Sequence, residues 1–179
     1  MNQKVEYFES YSNLAYNAVG LLALYLHGDI LFCLGMQALG IGSFVYHFDK
    51  SPNRRANPIW KFDWWAMAFL NTIVAGIHFD NLDVWSYLVL FHILYGYVLL
   101  GRFPVFIEVG LSSAISLVAI FLNRSTWTFI LILLVFLIAL AIRSKDEDPK
   151  QLKHHDSVWH SIWHFLTAGG YYLAVYLDI

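Results

Sequence analysis

The chain has 179 residues, of which 59% are hydrophobic, 18% aromatic and only 13% charged, with a formal net charge of −2. A soluble domain carries about twice that charged share, and a domain of this size leaves too much of its surface facing water to hide so much apolar area. The same figures exclude a disordered chain and a disulfide-rich secreted scaffold. The one cysteine, Cys33, can build neither an intrachain bridge nor a Cys-rich zinc site, and no basic patch points to nucleic acid. The class that remains is an all-α, polytopic integral membrane protein, with residues 1–179 forming a single transmembrane domain.

In chain order, the N-terminal MNQKVEYFES lacks a basic head followed by an apolar core, so it does not read as a signal peptide. A helix rises ~1.5 Å per residue, so ~20 apolar residues cross a ~30 Å hydrocarbon layer. Seven such stretches are expected, over 12–27, 29–48, 61–79, 84–101, 104–123, 126–143 and 157–177. The fifth (FPVFIEVGLSSAISLVAIFL) and sixth (TWTFILILLVFLIALAI) are the cleanest, while the first and seventh are more polar and so face protein. Residues 49–60 (DKSPNRRANPIW) and 144–156 (SKDEDPKQLKHHD) read as the two longer loops. Strands are excluded because an open sheet edge cannot sit in lipid.

Charge orients the bundle. With seven spans, Lys4, Lys50, Arg54, Arg55, Lys61, Arg102, Arg143, Lys145, Lys150 and Lys153 share one side, and Arg124 stands alone on the other. Basic residues stay on the cytoplasmic side, which places the N-terminus in the cytoplasm and the C-terminus outside. The short loops point to a bacterial inner membrane.

Polar residues in lipid are costly and need a partner or a task. Ser43 and His47 lie four apart in the second expected span (GIGSFVYHF), and His160 and His164 four apart in the seventh (SVWHSIWHFL). Residues four apart share one helix face. Asp63 opens the third (KFDWW). The second span runs inward and the third and seventh start inside, so all five residues fall in the cytoplasmic leaflet. Taken singly, each has an ordinary reading: an interfacial histidine, a packing serine, a boundary aspartate. Taken at one depth, His47, His160 and His164 supply three of the four positions of a zinc ion and leave the fourth for water. One dication, the Asp63 carboxylate and a hydroxide would sum to zero charge, which a low-dielectric site favours.

Ser-x3-His, then Asp, then His-x3-His on these spans resembles the CREST superfamily of seven-span membrane proteins, which includes the alkaline ceramidases and the progestin/adiponectin-type receptors. WHSIWHFLTAGGYYL is similar to the ceramidase pattern, whereas the His47–Asp63 interval and the KFDW context lean toward the adiponectin receptors. The resemblance implies His47, His160 and His164 as zinc ligands, with Asp63 and Ser43 contacting the water. Ceramidases also carry an acidic calcium-binding cluster near the first span. Only Glu6 and Glu9 stand there in this chain, followed by Asn13 and Asn17, which read as links between helices.

The function expected is a zinc-dependent intramembrane lipid hydrolase. It would cleave the amide of ceramide-like or other N-acyl membrane lipids with a zinc-activated water, Asp63 moving the proton and Ser43 donating to the oxyanion. The alternative is a non-enzymatic receptor or regulator of the adiponectin-receptor type with a structural zinc. A haem protein would need a second mid-depth histidine facing His92. Gln37 and Asn71 read as interhelical hydrogen-bond formers, and Glu108 as a buried carboxyl in the fifth span.

Overall fold

A computed structural model of the protein describes residues 6–48, 58–79, 105–146 and 158–178. These are helical apart from their turns. The helices are α1 (Glu6–Ser12), α2 (Leu14–His27), α3 (Ile30–Phe48), α4 (Pro58–Phe79), α5 (Val105–Asn123), α6 (Thr126–Asp146) and α7 (Val158–Tyr176). The expected fourth span at 84–101, with His92 in it, lies outside the described residues, as do the Glu108 side chain and His154, His155 and Asp156.

Local chemistry sets most of the boundaries. Gly28 ends α2 in the left-handed conformation (φ 69°), its N–H donating to Leu24 O at 2.9 Å. Asp29 then caps α3, Oδ1 accepting from the Phe32 N–H at 2.9 Å. Ser125 does the same for α6, accepting from the Thr128 N–H at 3.1 Å. Pro58 opens α4, where a missing N–H costs nothing. Helix α4 thus begins inside the stretch read as a loop, and α6 runs on to Asp146, because helical geometry continues past the edge of the apolar run.

Helix α3 packs against both α2 and α4, α5 lies along α4, α6 lies along α7, and α7 closes back on α1, α2 and α4. Glycines permit the closest approaches. A Cβ on Gly20 would meet the Met36 Cβ at 2.8 Å and the Cys33 carbonyl at 3.2 Å, so α2 and α3 touch almost backbone to backbone. A Cβ on Gly42 would sit 2.8 Å from the Phe62 ring, which brings α3 against the start of α4.

The interior is unusually polar. Asp63, Asn71, Thr72, His78, Ser112, Ser116, Thr128, His160, Ser161, His164 and Thr167 are buried beside an apolar core that includes Tyr16, Phe32, Met36, Leu70 and Ile73. Many large apolar side chains lie on the outside instead, such as Leu34, Ile41, Leu111, Leu122 and Leu140. Several interior amides link helices. Asn17 Nδ2 donates to Gln37 Oε1, and Gln37 Nε2 donates back to the Asn17 carbonyl at 2.9 Å. Asn71 donates to Ser113 Oγ at 2.9 Å and accepts from the Tyr171 hydroxyl at 2.8 Å, joining α4, α5 and α7. At the far end of α7, the Tyr176 ring stacks on His27 (centroids 3.9 Å apart) and its hydroxyl donates to Asp29 Oδ2 at 2.8 Å. That contact pins the end of α7 to the α2–α3 turn.

Among the described residues, two helices, Ile30–Phe48 and Thr126–Ser144, are long and apolar enough to cross a membrane.

Glycine-to-alanine changes test this packing. Gly20→Ala is expected to destabilise the fold by about 1–3 kcal/mol, because neither a Cβ nor a carbonyl can swing aside. Gly110→Ala in α5, where an added Cβ meets nothing within 4 Å, is expected to be neutral or slightly stabilising. Thermal melting in detergent separates the two, and equal melting temperatures would contradict the close α2–α3 approach.

Candidate metal centre

His47 closes the last turn of α3, Asp63 lies in the second turn of α4, and His160 and His164 occupy the first two turns of α7. The fold brings these helix ends together. His47, His160 and His164 each offer a ring nitrogen, and the three atoms lie within 4.8 Å of one another. His160 and His164 are buried and His47 is nearly so. The closest pair is His47 Nε2 and His160 Nε2, 3.2 Å apart.

The other ring nitrogens decide the protonation of two imidazoles. Ser12 Oγ donates its single proton to the Glu9 carbonyl at 2.7 Å. With that proton on the carbonyl, the 2.8 Å contact with His164 Nδ1 is one in which the hydroxyl accepts and Nδ1 carries the hydrogen. That leaves His164 Nε2 as a bare lone pair, and it is buried with no hydrogen-bond partner. His47 Nδ1 lies 3.3 Å from Glu9 Oε2, and a carboxylate accepts only, so Nδ1 carries a hydrogen and Nε2 is the atom turned toward His160. Three ring nitrogens turned toward one another, one of them without a hydrogen-bond partner, could hold a metal ion.

The spacing fits that cation. Ligand nitrogens at about 2.0–2.1 Å from a tetrahedral ion stand about 3.4 Å apart. The His47–His160 distance already matches, and the widest separation closes with movements of about an ångström. Three histidines with a carboxylate nearby form a donor set suited to zinc or another first-row divalent metal.

Asp63 is buried beside this cluster. Its carboxylate takes a hydrogen bond from Ser43, and His47 is close enough to act on it electrostatically. Its Oδ1 has no partner and is buried. The absence of a Cβ at Gly42 lets α3 lie against α4 at this level, with an added Cβ only 3.7 Å from the Asp63 Cα. Aromatic rings wall the cluster. Tyr16 lies edge-on to His164 (5.8 Å), and Trp163 packs on both His160 (5.5 Å) and His164 (5.0 Å). The Arg143 guanidinium sits 5.8 Å over the Trp163 ring.

The structure therefore groups His47, His160 and His164, and sets Ser43 on Asp63 beside them. Glu9 and Ser12 were not picked out as partners of the histidines from sequence. Glu9 stood out only as an acid near the first span, and nothing local links either residue to an imidazole 38 or 152 positions away. No protein-family model, curated protein or solved structure matches the chain.

Purified protein is expected to carry about one divalent metal per chain by elemental analysis. His164→Ala should remove most of it, since two imidazoles hold a metal far less tightly than three. Full metal content in that variant would contradict the assignment of the ligands.

Proposed function

We propose that the protein is a seven-span integral membrane protein of the CREST type, acting as a zinc-dependent hydrolase of N-acyl membrane lipids, with the N-terminus and the metal centre on the cytoplasmic side. The membrane reading is supported by the inverted distribution of polarity. Helix α6 is long, apolar and mostly unburied within the protein, and residues such as Leu131, Leu134 and Leu137 on it face outward. That surface is stable only in apolar surroundings. Many polar side chains turn inward, and several pair between helices, as Asn17 with Gln37 and Asn71 with Ser113 and Tyr171, an arrangement suited to lipid.

The hydrolase reading rests on one observation above the others. A buried carboxylate oxygen, Asp63 Oδ1, stands without a partner beside three clustered imidazoles. A purely structural site has no use for such a group, whereas an amidase needs an acceptor for the proton of the attacking water. When bound, zinc polarises an acyl carbonyl and makes a water easier to deprotonate. Asp63 accepts that proton on Oδ1 and returns it to the leaving nitrogen. Ser43 gives its proton to the Asp63 carboxylate, so its task is to aim that group; donation to an oxyanion, the role expected from sequence, would require it to turn away. A ceramide-like lipid suits the position, because its amide sits just below the headgroups while its chains remain in hydrocarbon.

A panel of N-acyl and ester lipids, assayed with wild type and Asp63→Asn in detergent or liposomes, tests this reading. Asp63→Asn is expected to lose about 10²–10⁴-fold in turnover while keeping its metal. Metal-loaded wild type that turns over no lipid in the panel would favour a structural zinc in a receptor or regulator. Full activity in Asp63→Asn would remove Asp63 from the chemistry.

A further inference from the structure

Helix α1 is short and stands apart from α2 only by the turn at Asn13. That turn is held by side chains. The Glu9 carbonyl accepts from both Ser12 Oγ (2.7 Å) and Asn13 Nδ2 (2.9 Å), and the Asn13 N–H donates to Ser10 O at 3.2 Å. The helix packs chiefly against α3 and α7, which carry the three histidines. One residue reaches each: Glu9 contacts His47 on α3, and Ser12, one turn further on, contacts His164 on α7.

We propose that α1 is the positioning arm of the metal centre, in which Glu9 and Ser12 hold His47 and His164 with Nδ1–H facing α1 and Nε2 facing the ion. The assignment rests on the metal reading and adds a specific task for a segment that composition alone would place outside the spans. An imidazole free to rotate presents either nitrogen in either tautomer, and only one of those states can ligate in this geometry. The two contacts from α1 remove the others before the metal arrives. The coupling runs both ways. Whatever α1 adds to metal affinity, bound metal adds to the docking of α1.

The Glu9 carbonyl links the two contacts. It accepts from Ser12 Oγ, and with the proton placed there Ser12 accepts from His164 Nδ1–H. Replacing Ser12 by Thr keeps this relay. Replacing it by Ala removes both the acceptor for Nδ1–H and the hydrogen bond that holds the turn. Glu9→Gln keeps an oxygen acceptor for His47 and loses the charge.

The experiment is zinc affinity by chelator competition on the full-length protein in detergent, for wild type, Ser12→Ala, Ser12→Thr, Glu9→Ala and Glu9→Gln. Absorption spectra of the cobalt(II) forms accompany it. Ser12→Ala and Glu9→Ala are expected to weaken zinc about 10–100-fold while still reaching one metal per chain at saturation, and to alter the cobalt bands. Ser12→Thr should stay near wild type, and Glu9→Gln should fall between wild type and Glu9→Ala. A merely structural role would lower melting temperature without this rank order. Hydrogen exchange over residues 6–12 should slow on adding zinc to wild type. Where an alanine variant fails to fold, Glu9→Gln and the exchange measurement decide. Zinc affinity within twofold of wild type in every folded variant, or exchange at 6–12 indifferent to zinc, overturns the assignment to α1 and leaves the metal reading standing. Wild type that binds no metal overturns both.

Discussion

A neutral imidazole has one proton for two ring nitrogens, so a contact at one nitrogen fixes what the other can do. In this bundle that constraint is imposed from one side. Helix α1 contacts Nδ1 of His47 and of His164, which turns both Nε2 atoms toward His160; His164 Nε2 is buried without a hydrogen-bond partner, and His47 Nε2 meets His160 Nε2 at 3.2 Å. A protein interior does not hold bare nitrogens at such distances without a reason, because an unsatisfied buried polar atom costs about 1–3 kcal/mol. A divalent cation held by the three imidazoles would resolve that cost. The packing around the site serves this end. Gly42 admits α4 to α3 so that Asp63 can stand beside the imidazoles, and the Trp163 and Tyr16 rings fill the flanks.

The rest of the fold follows the same economy of polar groups. Apolar side chains turn outward along α2, α3, α5 and α6, and the hydrogen-bonding groups meet inside. The Asn71–Ser113–Tyr171 links and the Asn17–Gln37 pair sit between helices, where each amide satisfies a neighbour. The two ends of the bundle are treated differently. At one end the Tyr176, His27 and Asp29 groups satisfy each other and fasten α7. At the other end His164 Nε2 and Asp63 Oδ1 are buried without a hydrogen-bond partner beside the histidine cluster.

Much of this is legible in the residues themselves. Helical segments announce themselves by apolar length, and their ends by local chemistry at Gly28, Asp29, Pro58 and Ser125, which needs no tertiary information. The clustering of His47, His160 and His164 is legible from the i, i+4 spacing and from counting spans to assign depth. The contributions of Glu9 and Ser12 are not, because a seven-residue helix next to the first apolar stretch has no periodicity that points at α3 or α7. Ser43 was readable as a partner of the site but not as the partner of Asp63. Choosing between an oxyanion and a carboxylate for one hydroxyl proton requires the distance between α3 and α4.

The most direct measurement of the central claim is X-ray absorption at the zinc edge on protein loaded with one equivalent of the metal. Three imidazole nitrogens and one oxygen donor, all at about 2.0–2.1 Å, are what the three-histidine site with an open fourth position predicts. A sulfur scatterer from Cys33, fewer than three imidazoles, or zinc that remains fully hydrated would contradict it.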